Sequence, residues 1–342
     1  MNRLAALALL STLALGGAGF LHAAHPLASG AQLEQPVSPV PARIEHDPDK
    51  AALGEALFHD ARLARDGRMS CAYCHQPDRD GADGLALSPR NDGSPGPYNT
   101  PTLFNAALNP LHTWTGRHAT LEAQTAHEAF NPGHFGRDWS ALKPVIESLS
   151  AYGLRFKALY PRGLTEDSFV DALSQFQRTL LTPDSPFDRW LRGARDAISL
   201  EAEQGWHLFR HYGCASCHQG VNLGGNLLAS VGVFATAGDL HMRFPRPEDQ
   251  GRYSVTGRVQ DQWIYRVPPL RNVAVTGPWF HDGSVTSLKE AVQLMARYQL
   301  GHELDARDTA RLVSFLEALT GEYRGEPLRP RVMSGPRPEP AP

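Results

Sequence analysis

Residues 71–76 read CAYCHQ and residues 214–219 read CASCHQ, and together these hexapeptides hold all four cysteines of the 342-residue chain. Thiols two residues apart can bind zinc, cycle as a redox dithiol, or take a haem. One tetrahedral zinc site would need both pairs together, and about 140 residues separate them. A redox dithiol needs no following histidine. In C-x-x-C-H the two thiols add to the haem vinyl groups and the adjacent histidine ligates the iron. Only that chemistry uses every part of both motifs. Cys71, Cys74 and His75 are therefore expected to hold one covalent haem c, and Cys214, Cys217 and His218 a second.

The rest of the chain must position these motifs. Apolar residues make up 42% and charged residues 20%, so a core can form, and the net charge of −3 with no basic run gives no footprint for nucleic acid. Glycine (31) and proline (27) are plentiful, which fits loops wrapped around large apolar macrocycles. Arg3, an apolar stretch from Leu4 to about Leu21, then Ala23 and Ala24 have the layout of a signal peptide. The alternative is an uncleaved anchor, but the run is short and glycine-containing for a membrane span. An exported, periplasmic protein is expected.

The expected fold is mostly α: two c-type cytochrome domains in series, with long loops and few short strands. Residues 1–24 read as signal peptide, 25–45 as linker, 46–185 as the N-terminal haem domain, 186–323 as the C-terminal haem domain and 324–342 as a disordered tail. Asp47-Pro48 starts a helix through AALGEALF. Residues 76–112 form a long loop, a length that is uncommon unless it covers a site. Helical signals return at 140–160 and, behind a Thr165 cap, at 165–181. Ser199 caps the helix that delivers Cys214. Ser287 and Glu290 read as a capping box before a helix carrying Val292 and Met295. Leu312, Phe315, Leu316 and Leu319 mark a last amphipathic helix, with Gly321 read as its terminator.

Several segments besides the haem motifs carry a resemblance: LGEALFHDARLA at 53–64, NTPTLFNAALN at 99–109, WTGRHATLEAQ at 114–124, SPFDRWLRG at 185–193 and RVPPLRNVAVTGPWFHDGSVTSLKEAVQLM at 266–295. In this order, over residues 51–321, they resemble the bacterial di-haem cytochrome c peroxidases and the related MauG-type enzymes. The resemblance implies that the C-terminal haem is the high-potential port for electrons and that peroxide meets the N-terminal haem. It implies that Met295 is the distal ligand of the C-terminal haem, where MauG has tyrosine; a lone helical methionine is otherwise more often core. A His/Met iron has a raised potential. Trp114 matches the tryptophan between the haems. Many members carry a distal histidine in the loop after the first motif. The matching position here is Asn91, no histidine occurs between His75 and His112, and an open face on the first haem is expected. The competing reading brings in His112, His118, His127 or His134. The peroxidatic glutamine matches Gln124, and the glutamate ten residues later is replaced by His134, with Glu128 the alternative acid–base group. The family's calcium, held by an asparagine and two carbonyls, matches Asn99, Thr276 and Pro278.

The function implied is reduction of hydrogen peroxide to water, with a small soluble cytochrome c or copper protein as electron donor. The main alternative is a MauG-like enzyme that uses peroxide to oxidise aromatic residues, tryptophan included, of a partner protein. A third reading is a non-catalytic di-haem carrier, which would saturate both irons. No nucleic-acid partner is expected, and family members are often homodimers.

Overall fold

Local signals set most helix starts. In the computed structural model, which describes residues 36–235, 246 and 249–329, Asp47 caps α1 (Pro48–His59) by accepting from the Asp49 and Lys50 amides, with Pro48 in the first turn. Helix α2 (Cys71–Cys74) is the first haem motif itself. After the long loop come α3 (Leu121–Ala129), α4 (Trp139–Ser148), α5 (Ser150–Leu159) and α6 (Glu166–Thr179), the last capped by Thr165. Then follow α7 (Pro186–Leu191), α8 (Leu200–His211) capped by Ser199, α9 (Tyr253–Thr256), α10 (Leu288–Leu300) capped by Ser287, and α11 (Ala306–Glu317). Strand β1 (Leu228–Ser230) pairs antiparallel with β2 (Ile264–Arg266), Leu228 opposite Arg266, and β3 (Glu322–Tyr323) pairs with β4 (Glu326–Pro327). The mostly helical expectation holds. No described helix is long and apolar enough to cross a membrane.

Two hydrophobic cores lie behind the two motifs. The first gathers Leu53, Leu57, Phe58, Phe156, Phe169 and Phe176 from α1, α5 and α6. The second packs Phe187, Trp206 and Phe315 with ring centroids 5.1–5.3 Å apart, all three fully buried. Burying each such ring contributes about 1.5–3 kcal/mol. One device serves both cores: the helix before each motif crosses a later helix at a glycine. A Cβ on Gly54 of α1 would lie 1.9 Å from the Ala172 carbonyl oxygen of α6, and one on Gly205 of α8 would lie 2.0 Å from that of Arg311 in α11. Only hydrogen fits there.

Residues 36 onward form one compact unit, and the chain ends interleave the halves. The expected linker is corrected over residues 36–45. Val37 is buried in the second core, Val40 is buried and donates its amide to Asp188 Oδ1, and Gly220, just past His218, donates its amide to the Pro36 carbonyl. Two apolar residues find cover there, so the segment is a strap. The expected disordered tail is likewise corrected at its start: the β3–β4 hairpin turns at Arg324, and Leu328 is buried against the first core. The expected signal peptide, residues 25–35 and residues 330–342 lie outside the described residues. Gly321 lies beyond the end of α11, as the sequence places it, although Ala318 and not Gly321 caps the helix. The Gly321 amide donates to Asn272 Oδ1, and a Cβ would lie 2.1 Å from the Thr182 carbonyl oxygen, so close approach of two backbones demands glycine.

Candidate functional site

A cavity of about 480 Å3 with mostly apolar walls lies between the two motifs. Cys71, His75, Cys214, Cys217, His218, Met295, Trp114, Gln124, Asn99, Thr276 and Pro278 all line it, so residues expected from distant segments are brought together. His134 and Asn91 do not line it, whereas Glu128 does.

No disulfide joins the four cysteines. Burial raises Cys71 to about 12, with Cys74 beside it adding to the shift, and burial raises Cys214 to about 11. Buried thiols of this kind are not nucleophilic thiolates, which fits attachment points better than a redox dithiol. Burial holds both histidines neutral, lowering His75 and bringing His218 to about 4. His218 Nδ1 donates to the Leu223 carbonyl at 3.2 Å, which fixes the ring and leaves Nε2 as the ligating nitrogen.

Two orphaned polar atoms test the fit to haem. Arg266, buried at 4% exposure on the cavity wall, donates Nε to the Thr113 carbonyl at 2.8 Å, but among the described residues its Nη1 has no hydrogen-bond partner and no carboxylate pairs with it. Burial alone lowers it to about 10. A buried cation without a counter-charge is costly, and a haem propionate is the anion that would satisfy it. Gln124 Oε1 is the second buried orphan. A largely apolar cavity, neutral histidines, buried thiols and an unpaired guanidinium together fit haem c. Arg266 was not singled out from the sequence, although a charge at the end of an apolar strand was a readable signal.

The acid–base group sits at the cavity's edge. Thr120 caps α3, and this helix sets Gln124 and Glu128 one turn apart on a single face, Gln124 Nε2 donating to Glu128 Oε1 at 2.9 Å. His134 lies behind Glu128, with Nδ1 2.6 Å from Oε2. Burial pushes the Glu128 carboxyl up, but the bonds from His134 and Gln124 outweigh it and hold it below its usual value. Burial pushes His134 down, but Glu128 outweighs it and raises the imidazole. The loop carrying His134 is pinned by Asn91, which donates its backbone amide to the Gly133 carbonyl at 2.9 Å and its Nδ2 to the Pro132 carbonyl at 2.8 Å. Of the four histidines that could compete for the first haem, His112 alone lines the cavity.

Trp114 donates its indole N–H to the Asn99 carbonyl at 2.8 Å, and its own carbonyl receives the Arg266 amide at 2.7 Å. Asn99 Nδ2 donates to the Leu85 carbonyl. Among the described residues no cluster of three or more His, Cys, Asp or Glu side chains could hold a metal ion, so a cation at Asn99, Thr276 and Pro278 would rest on neutral oxygens.

A fold with a C-x-x-C-H motif behind each of two helical cores, opening on one shared cavity, defines a di-haem c-type cytochrome. The family model described as di-haem cytochrome c peroxidase matches residues 48–196. The chain is 40% identical over 290 residues to cytochrome c peroxidase Ccp of Escherichia coli K12, covering 84% of this chain and 62% of that protein. It is 35% identical over 289 residues to cytochrome c551 peroxidase of Nitrosomonas europaea, covering 84% and 85%. A solved MauG-like protein associated with microbial copper homeostasis superposes with a TM-score of 0.72 at 26% identity, covering 86% of this chain and 96% of that one. The chain belongs to the di-haem cytochrome c peroxidase family.

Proposed function

We propose that this protein is an exported, periplasmic di-haem peroxidase that reduces hydrogen peroxide to water. The observation that carries the reading is the Gln124–Glu128 pair on the wall of a cavity lined by both haem motifs, with His134 bonded to Glu128 from behind. Bound haem supplies an iron that exchanges electrons. Glu128, a half-buried carboxylate lining the cavity, takes a proton from one peroxide oxygen and returns it to the other. Gln124 orients Glu128 through its amide. His134 holds the carboxylate from behind, so it positions the base and does not act on peroxide itself. Cys214, Cys217, His218 and Met295 would hold the haem that accepts electrons from a small cytochrome c or copper protein, and Trp114, on the wall of the shared cavity, would carry them between the two motifs. Asn99, Thr276 and Pro278 hold a calcium ion between the halves, and the protein works as a homodimer.

One observation favours the MauG-like reading, in which the oxidising equivalents leave toward a partner protein. Asn91 is tied into the His134 loop and offers no ligand to the first haem, which leaves that iron open without prior reduction. The carrier reading is disfavoured by the same feature.

Stopped-flow mixing of the fully oxidised protein with hydrogen peroxide, without donor, tests the open face. A fast change in the haem spectrum is expected. No change until one electron is added per protein would reveal a hidden sixth ligand and sink it. Reduced cytochrome c is then expected to be consumed in proportion to peroxide; its survival would move the function to a protein substrate. Separately, Met295→Ala is expected to turn the C-terminal haem from low-spin to high-spin by electronic absorption. An unchanged low-spin spectrum would exclude Met295 as ligand.

A further inference from the structure

Beyond Trp114 the cavity wall continues into an aromatic and acidic cluster assembled from three distant segments. His281 is buried at 2% exposure and lies edge-on to Trp114, with ring centroids 6.2 Å apart. Its other face stacks on Tyr265 of β2 at 4.2 Å and an interplanar angle of 25°. Tyr265 is itself buried, and its hydroxyl donates to Asp249 Oδ1 at 2.6 Å. His281 Nε2 lies 2.7 Å from Asp249 Oδ2, and Arg246 Nη2 donates to the same oxygen at 3.3 Å. A second tyrosine, Tyr98, also lies edge-on to His281 at 6.2 Å, but Asp249 receives no hydrogen bond from it.

We propose that Tyr265 is a redox-active residue that stores one oxidising equivalent, with Asp249 as the acceptor of its proton. A phenol cannot easily give up an electron while keeping its proton, because the radical cation is strongly acidic. A carboxylate already accepting the O–H hydrogen bond removes that obstacle without any rearrangement. Burial and the neighbouring Asp249 hold the phenol well above its ordinary range, so it does not lose the proton without an electron. Burial opposes ionisation of Asp249, but the bonds from His281 and Tyr265 outweigh it and keep it a carboxylate able to accept. Electron tunnelling falls off exponentially with distance, and the near-contact rings from Trp114 through His281 to Tyr265 keep each gap short.

The balance is simple. Hydrogen peroxide takes two electrons and, from solvent, two protons on becoming two waters. When no donor is present, one electron is drawn from Tyr265 by way of Trp114 and the other would be supplied by bound haem. The Tyr265 O–H bond breaks, its electron leaves toward Trp114 and its proton moves to Asp249 Oδ1. An electron from the donor and the proton from Asp249 later restore the phenol. The inference rests on the peroxidase reading of the cavity and adds a residue that shields the site when electrons are scarce.

The test is electron paramagnetic resonance on the holoprotein, freeze-quenched after mixing with hydrogen peroxide without donor. A tyrosyl signal is expected in the parent protein and in Tyr98→Phe. It is expected to be lost in Tyr265→Phe, which keeps the stacked ring and so the packing. Asp249→Asn is expected to slow its formation by about a hundredfold, the usual worth of a positioned base. A signal that survives Tyr265→Phe, or vanishes in Tyr98→Phe, overturns the proposal. The same samples oxidised by a flash-generated ruthenium trisbipyridine(III) separate it from the peroxide reading. If peroxide leaves the haem spectrum unchanged but the flash yields the Tyr265 radical, the relay stands and the peroxidase reading falls. If peroxide changes the haem spectrum but neither oxidant yields the radical, the relay falls alone.

Discussion

Glu128→Gln is expected to lower the turnover number for peroxide by about 10²–10⁴-fold, the range for loss of a general acid–base group. Glutamine keeps the shape and can still receive the Gln124 amide, so the loss would report the missing proton carrier and little else. His134→Ala is expected to behave differently. His134 is what holds Glu128 below its ordinary value of 4.5 against the opposing effect of burial. Without it burial dominates, and the Glu128 pKa rises. The acid limb of the pH–rate profile therefore moves to higher pH, while the plateau rate above it falls much less than in Glu128→Gln. The sign of the pairing follows from the two shifts. Glu128 is lowered, so its part of the pairing is present above 4.5 and lost as pH falls through the folded value. His134 is raised, so its part is present below 6.5 and lost as pH rises through the folded value. The pair is intact between those limits. A His134→Ala enzyme as slow as Glu128→Gln at every pH would make His134 the proton carrier instead.

Asp188→Ala is expected to cost about 3–5 kcal/mol of stability, because it leaves a buried charge unpaired. Asp188 and Arg271 are 0% and 1% exposed, and Arg271 Nη2 lies 2.8 Å from Asp188 Oδ1. The same guanidinium donates to the carbonyls of Val221 and Ser38 and to Ser185 Oγ, and Asp188 also accepts the Val40 amide. One ion pair thus ties together the 36–40 strap, α7 and the loop that follows His218. Burial opposes the Arg271 charge more strongly than Asp188 favours it, so its pKa falls, and removing the partner leaves the penalty without its offset. Guanidinium unfolding of the holoprotein measures the change. The double variant Asp188→Leu with Arg271→Met is expected to recover much of the loss, since a packed apolar pair replaces the buried ions. A loss below about 1 kcal/mol for the single variant would place the pair with weak surface bridges.

The helix starts were legible because their causes lie within a few residues: Asp47, Thr165, Ser199 and Ser287 each cap through an amide two or three positions ahead. The ends of the chain were not. Val37, Val40 and Leu328 sit among proline and polar residues, and only their distant partners bury them. The acid–base group shows the same limit. The family resemblance pointed to His134, ten residues after Gln124, whereas helical periodicity in α3 puts Gln124 and Glu128 on one face, and that face lines the cavity.

What the sequence carried by itself was the pair of haem motifs. Two C-x-x-C-H motifs set two thiols and a ligating histidine side by side through bonds between adjacent residues, whatever surrounds them. What only the tertiary structure decided was which polar groups share a space with those motifs. Arg266 Nη1 lies buried without a partner among the described residues, His134 bonds to Glu128 and Tyr265 donates to Asp249 because segments far apart in the chain meet there. Burial then makes charge and hydrogen bonding consequential, since water no longer screens or satisfies them.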